Sequence, residues 1–190
     1  HGGGASQLAV FFPGANYGCE APLLWYARKA ALLAGCDTLS LVYRHQVDLS
    51  RPFTEQMAYL VEEASAAIRR VIQPGCQRML FVSKSMGTVV AGEVAERLSH
   101  LPVSHLVLTP TPHAVPYLQR ARGIVLTGTA DPKFGEPHLS RIRGVDGLEV
   151  IAVPEAVHSL ELDGDVAGSL RILGQVCEAC ARLAGGATDV

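Results

Sequence analysis

The sequence predicts an α/β protein, a three-layer sandwich with a mainly parallel six-stranded sheet covered by helices on both faces. Three observations carry that reading. Short apolar runs alternate with longer segments of helical periodicity. The runs are largely apolar, Leu8 to Phe12 continuously so, as strands buried on both faces are. Pro-Gly pairs or single glycines punctuate most of the junctions.

The elements follow in order. Leu8 to Phe12 reads as a strand stopped by Pro13-Gly14, and Pro22 to Leu33 as a helix stopped by Gly35. Thr38 to Tyr43 is β-branched and aromatic enough for a second strand. Thr54 to Ile72 is a long amphipathic helix ended by Pro74-Gly75. The unit repeats with a strand over Arg78 to Val82, a tight turn at Ser83 to Ser85 and a helix over Met86 to Leu98. Val103 to Leu108 is the fourth strand, and a Pro-broken segment runs through Arg122 to the fifth, Gly123 to Thr127. Leu148 to Val153 is the sixth strand, and Val166 to Leu183 the last helix. This assigns residues 8–184 to one domain, 1–7 to a disordered or appended N-terminal segment, and 185–190 to a polar tail.

The composition excludes several classes of function. Of 190 residues, 48% are hydrophobic and 18% charged, with a formal net charge of −2, so one core forms without a basic stripe for nucleic acid or acidic lipid. No apolar run approaches the roughly 18 to 20 residues that span a bilayer. Five cysteines at irregular spacing argue against a disulfide framework and for a reducing, cytoplasmic compartment. Cys177 and Cys180 form a C-x-x-C, but with no second ligand pair nearby they read as packing residues.

The chemistry concentrates around Phe81-Val82-Ser83-Lys84-Ser85-Met86-Gly87-Thr88, where an apolar strand runs into a helix through small residues. A nucleophile elbow needs this, because the nucleophile occupies a strained turn and the residues two before and two after it must be small. Ser83 and Gly87 meet that need, with serine where the pattern G-x-S-x-G has its first glycine. Its partners should follow in the order acid, then histidine, each past a later strand. Asp131 follows the fifth strand in Gly128-Thr129-Ala130-Asp131, and His158 follows the sixth. Each has an ordinary alternative: Ser85 as a helix N-cap and Asp131 as a turn former before Pro132, with Glu155, Asp163 or Asp165 as substitute acids.

With those residues in place, the chain resembles the α/β-hydrolase superfamily from Leu8 to about Leu183. The shared features are the Pro-Gly turn after the first strand, the elbow, the G-x-x-D and the late histidine. Phe12-Pro13-Gly14-Ala15-Asn16-Tyr17-Gly18, Pro22-Leu23-Leu24-Trp25-Tyr26 and Ser83-Lys84-Ser85 are similar to a group of small bacterial members. The resemblance implies strands in the order second, first, third, fourth, fifth, sixth, with the first two strands of the full family core and any large lid absent. It also implies a serine hydrolase acting on a small-molecule ester or thioester with no metal or organic cofactor.

In that reading Ser85 attacks the acyl carbon, His158 takes its proton and Asp131 orients the imidazole. The backbone N–H groups of Met86 and Ala15, or else Asn16, receive the oxyanion. Asn16, Tyr17, Arg44, His45, Thr111 and His113, with Thr109, are candidates to line the substrate mouth. Lys84 is expected to form a structural ion pair or to tune the site, and Trp25 to pack in the core. His1-Gly2-Gly3-Gly4 has the form of an oxyanion motif but precedes the first strand, so it is set aside. An acyltransferase with the same triad and a non-catalytic small-molecule-binding protein on the same fold are the alternatives. The missing strands expose an edge that a second copy would cover, making a homodimer a candidate assembly.

Overall fold

The computed structural model describes residues 5–43 and 52–185. The order is β1 (Gln7–Phe12), α1 (Pro22–Leu33), β2 (Asp37–Ser40), α2 (Phe53–Val71), β3 (Arg78–Lys84), α3 (Gly87–Arg97) and β4 (Val103–Leu108). A 3₁₀ turn at Pro112–Ala114 leads into the one-turn α4 (Val115–Leu118), followed by β5 (Gly123–Gly128), α5 (Glu136–Leu139), β6 (Leu148–Val153) and α6 (Val166–Ala184).

The six strands form one sheet in the order β2-β1-β3-β4-β5-β6, and every neighbouring pair is parallel. The direction of winding reverses between β1 and β3, which lie side by side with Phe11 opposite Val82 and Phe12 opposite Ser83. A parallel sheet built this way leaves a crevice beyond the carboxyl ends of those two strands.

Alternate residues of the central strands feed two separate cores, which is why those strands are largely apolar on both faces. Val10, Phe12, Met79, Phe81, Val107 and Val125 face one layer, packed by Leu60, Val61 and Ile68 of α2 and Val90 and Val94 of α3. Phe11, Leu80, Val82, Leu106, Leu108 and Leu126 face the other, packed by Leu24 and Ala27 of α1 and Ile172, Val176 and Leu183 of α6.

Several boundaries differ from the sequence reading by one residue, and the ends of β2 and β3 by more. β1 begins at Gln7. β2 stops at Ser40 instead of reaching Tyr43: among the described residues it is an edge strand with β1 as its only template, and β1 ends at Phe12 before Pro13, which has no N–H to continue a ladder. β3 continues through Ser83 and Lys84, which pair with Val107 and Leu108, so the turn is confined to the residues after Lys84. No helix among the described residues is long and apolar enough to cross a membrane.

Candidate active site

Where β3 passes into α3, Ser85 has φ of 53°, in the left-handed region that non-glycine residues seldom enter. Several contacts hold it there. Its N–H donates to the Leu108 carbonyl at 3.0 Å, and its own carbonyl accepts from Thr88 N at 3.0 Å and Thr88 Oγ1 at 2.6 Å. Gly87 is required by contact: a Cβ there would lie 2.4 Å from the Pro13 oxygen and 2.6 Å from the Phe12 oxygen. A Cβ on Gly14 would lie 3.4 Å from the Ser85 Cβ, so the turn after β1 packs directly on the elbow.

Ser85 does not cap α3. The N-cap position belongs to Met86, without a side-chain cap, and the Ser85 hydroxyl instead lies 2.9 Å from His158 Nε2. The other ring nitrogen, Nδ1, lies 2.7 Å from Asp131 Oδ2. An ionised carboxylate only accepts, so in the neutral ring Nδ1 carries the hydrogen and Nε2 is left to accept from Ser85.

Asp131 is buried, and its Oδ1 accepts from Lys133 N at 2.8 Å, so it forms the expected local turn while also facing His158. Burial pushes its pKa up, but the hydrogen bonds from His158 and Lys133 N outweigh burial and bring it below the usual carboxylate value. The loops bearing Asp131 and His158 meet at Gly128, where a Cβ would lie 1.8 Å from the Ala156 carbonyl oxygen. Among the substitute acids, Asp165 caps α6 through Gly168 N at 2.8 Å, and Glu155 is exposed.

The structure thus brings Ser85, His158 and Asp131 into one hydrogen-bonded chain. Met86 is buried directly behind Ser85, while Ala15 and Asn16 are exposed on the tight turn after β1, where Gly14 N donates to the Tyr17 carbonyl at 2.9 Å. Tyr17 is half-buried, and its hydroxyl accepts from Leu23 N at 2.9 Å. Beside this turn and the residues after His158 lies a cavity of about 440 Å³ lined by Tyr17, Leu23, Ser159, Glu161, Leu162 and Leu173 among others.

Other candidates stand apart from that chain. Thr111 is half-buried, and His113 is exposed and stacked on Phe53 at 4.3 Å between ring centres. Arg44, His45 and His1 to Gly4 lie outside the described residues. Thr109 does not line the mouth: it is fully buried, with φ of 40°. Trp25 is not a core residue but half-buried on α1, with the Arg28 guanidinium 4.4 Å from the ring centre.

Lys84 is almost wholly buried and, among the described residues, makes no ion pair of the expected kind; its ammonium donates to Thr109 Oγ1 and, at 2.7 Å, to the carbonyl oxygen of His158. Both contacts, like the approach at Gly128, join segments far apart in sequence. The Gly in G-x-x-D was the single local hint of any of them.

No protein-family model matches the chain, and no curated protein matches it. Solved structures do match. A protein of unknown function from Agrobacterium tumefaciens, assigned to the α/β-hydrolases, superposes with a TM-score of 0.74 over 97% of this chain and 88% of its own, at 15% identity. The fold is the α/β-hydrolase fold. A lidless α/β serine hydrolase from Xanthomonas campestris matches with a TM-score of 0.64, covering 96% of this chain and 84% of its own at 12% identity. The esterase Est1E of Butyrivibrio proteoclasticus, solved with ferulic acid, matches with a TM-score of 0.67, covering 93% and 87% at 11% identity. In this α/β-hydrolase fold residues 109–122, between β4 and β5, contain only short helical turns, so no large lid stands there.

Proposed function

We propose that the protein is a serine hydrolase that cleaves an ester or thioester of a small-molecule acyl substrate through an acyl-enzyme intermediate. The observation that carries this reading is the continuous chain from Ser85 Oγ to His158 Nε2 at 2.9 Å and from His158 Nδ1 to Asp131 Oδ2 at 2.7 Å, with the serine held on a left-handed turn.

The roles follow from that chain. Ser85 Oγ attacks the carbonyl carbon as His158 Nε2 takes its proton, and Asp131 stabilises the imidazolium and keeps Nδ1 protonated. The oxyanion forms against the N–H groups of Met86 and Ala15, each such donor contributing about 3 to 4 kcal/mol to the transition state. His158 then returns the proton to the leaving alcohol or thiol. Water deprotonated by the same nitrogen attacks the acyl-enzyme and regenerates Ser85. The cavity beside Tyr17 and Ser159 offers both apolar walls and carboxylates, which suits one end of a small substrate.

The experiment is labelling with a fluorophosphonate followed by mass spectrometry, alongside hydrolysis of p-nitrophenyl esters and acyl thioesters. The expected result is a single adduct on Ser85 that Ser85→Ala and His158→Ala abolish, with matching loss of hydrolysis. A folded wild type that is neither labelled nor active defeats the proposal.

A further inference from the structure

Lys84 is 2% exposed, and a lysine is almost never so buried without several compensating partners. Its ammonium has three hydrogens to place. Two oxygens accept from it: Thr109 Oγ1 at the end of β4, and the His158 carbonyl at 2.7 Å. It also lies 5.3 Å from the centre of the Tyr17 ring, within the range at which a cation is drawn to an aromatic face. One nitrogen therefore ties β3 to β4, to the loop that carries His158 and to the turn that carries Ala15.

Lys84 and Ser85 are consecutive, so two bonds join the same two places in the chain: Ser85 Oγ to the imidazole at 2.9 Å and Lys84 Nζ to the backbone of the same histidine at 2.7 Å. The ring is held at both nitrogens, by Ser85 and by Asp131. The Lys84 bond adds a hold on the main chain from which that ring projects, and so sets how far the histidine stands from the elbow. Resting on the serine-hydrolase reading, we propose that Lys84 is a positioning residue whose charged ammonium holds His158 and the oxyanion turn in register with Ser85, and that the hold loosens when Lys84 loses its proton, because the neutral amine keeps two N–H donors but gives up charge assistance and the attraction to the Tyr17 ring.

The charge itself argues for such a role. Burial lowers the Lys84 pKa from 10.5 to about 8; Asp131 and Glu161 act in the opposite direction, and Lys133 adds to the lowering. These groups, with His158 and Tyr17, face the ammonium from the β5 loop, the loop after β6 and the β1 turn. A pKa depressed on folding means that the unfolded chain binds more protons between about 8 and 10.5, so the stability gain is present above 10.5 and lost as pH falls through about 8. At neutral pH the charged lysine therefore opposes folding. Keeping the cation there serves the site at the expense of the fold.

The test measures kcat/KM for p-nitrophenyl acetate, the rate of fluorophosphonate labelling and the melting temperature across neutral to alkaline pH, for wild type, Lys84→Met and Thr109→Val. Wild type is expected to lose part of its activity with a midpoint near 8, while its melting temperature relative to Lys84→Met rises over the same interval, so unfolding does not explain the loss. Lys84→Met is expected to lower kcat by about 10²-fold with little change in KM, and to show no alkaline descent. Thr109→Val removes one acceptor from the ammonium and is expected to move the descent to lower pH.

A folded Lys84→Met that keeps wild-type kcat, or that keeps the alkaline descent, overturns the proposal. If Lys84→Met does not fold, a descent unmoved in Thr109→Val overturns it instead. A wild type that is neither labelled nor active refutes the hydrolase reading and this inference with it, whereas an active wild type with an unaltered Lys84→Met refutes this inference alone.

Discussion

Replacing Gly128 by alanine tests whether the proposed relay depends on the close approach of the two loops that carry Asp131 and His158. An added Cβ would stand 1.8 Å from the Ala156 carbonyl oxygen and 2.4 Å from its carbon, where contacts below 3.0 Å essentially never occur. The obstacle is backbone, with no flexible side-chain end to move aside, so the loops must part by about 1.2 Å. His158 lies two residues beyond Ala156. If its loop takes up the whole displacement, the 2.9 Å and 2.7 Å bonds of the imidazole open to about 4 Å, which is no longer a hydrogen bond.

A misplacement of that size costs about 10²-fold, and full loss of general-base assistance costs up to about 10⁴-fold. The expected fall in kcat/KM therefore lies between those limits. The same overpacking is expected to cost about 1 to 3 kcal/mol of stability, and a domain of this size melts about 2 to 4 °C lower for each. The assay is the fluorophosphonate labelling rate of Ser85 beside p-nitrophenyl acetate hydrolysis, with a thermal melt of the same sample. A Gly128→Ala protein with wild-type labelling and melting temperature would show that the 1.8 Å approach constrains neither the site nor the fold, and the reasoning would fail.

In the proposed mechanism Asp131→Asn removes the charge that stabilises the imidazolium and permits the wrong tautomer, so kcat is expected to drop by about 10⁴-fold with the melting temperature little changed; a loss under about tenfold would rule out an orienting role. Gly87→Ala drives a methyl to 2.4 Å from the Pro13 oxygen, pushing the β1 turn off the elbow. That is expected to suppress labelling and to lower stability by about 1 to 3 kcal/mol in urea denaturation, and normal labelling would contradict the contact. Phe12→Ala empties a fully buried position whose ring centre lies 4.9 Å from that of Phe81. The expected cost is about 3 to 5 kcal/mol in urea denaturation, and a loss below about 1 kcal/mol would mean the core refills the space.

Much of this was legible before any coordinates, because it is written in local patterns. A strand buried on both faces is apolar at most positions, so β1, β3, β4 and β5 announce themselves, and Pro13, Gly35 and Pro74 end elements by their own stereochemistry. The elbow is local too: Ser83, Ser85 and Gly87 lie within five residues, and the need for small neighbours follows from the turn itself. Chain order then singled out Asp131 and His158, each just past a later strand.

What the tertiary structure alone decided are contacts between segments distant in sequence, where no pattern of neighbours records the partner. Lys84 could be placed on the elbow, but only the packing of the loop after β6 and the end of β4 turns its ammonium toward the His158 carbonyl and Thr109. Thr109 has the composition of a mouth residue and is buried because a cation needs its oxygen. β2 has the residues for a longer strand and stops at Ser40 because its one template ends before Pro13. Periodicity and turn chemistry act along a few residues of chain, so the sequence by itself determined the elements and the order of the chemical groups. The distances among those groups, and the partners of the buried charge, are set by which surfaces meet once the sheet has closed its two cores.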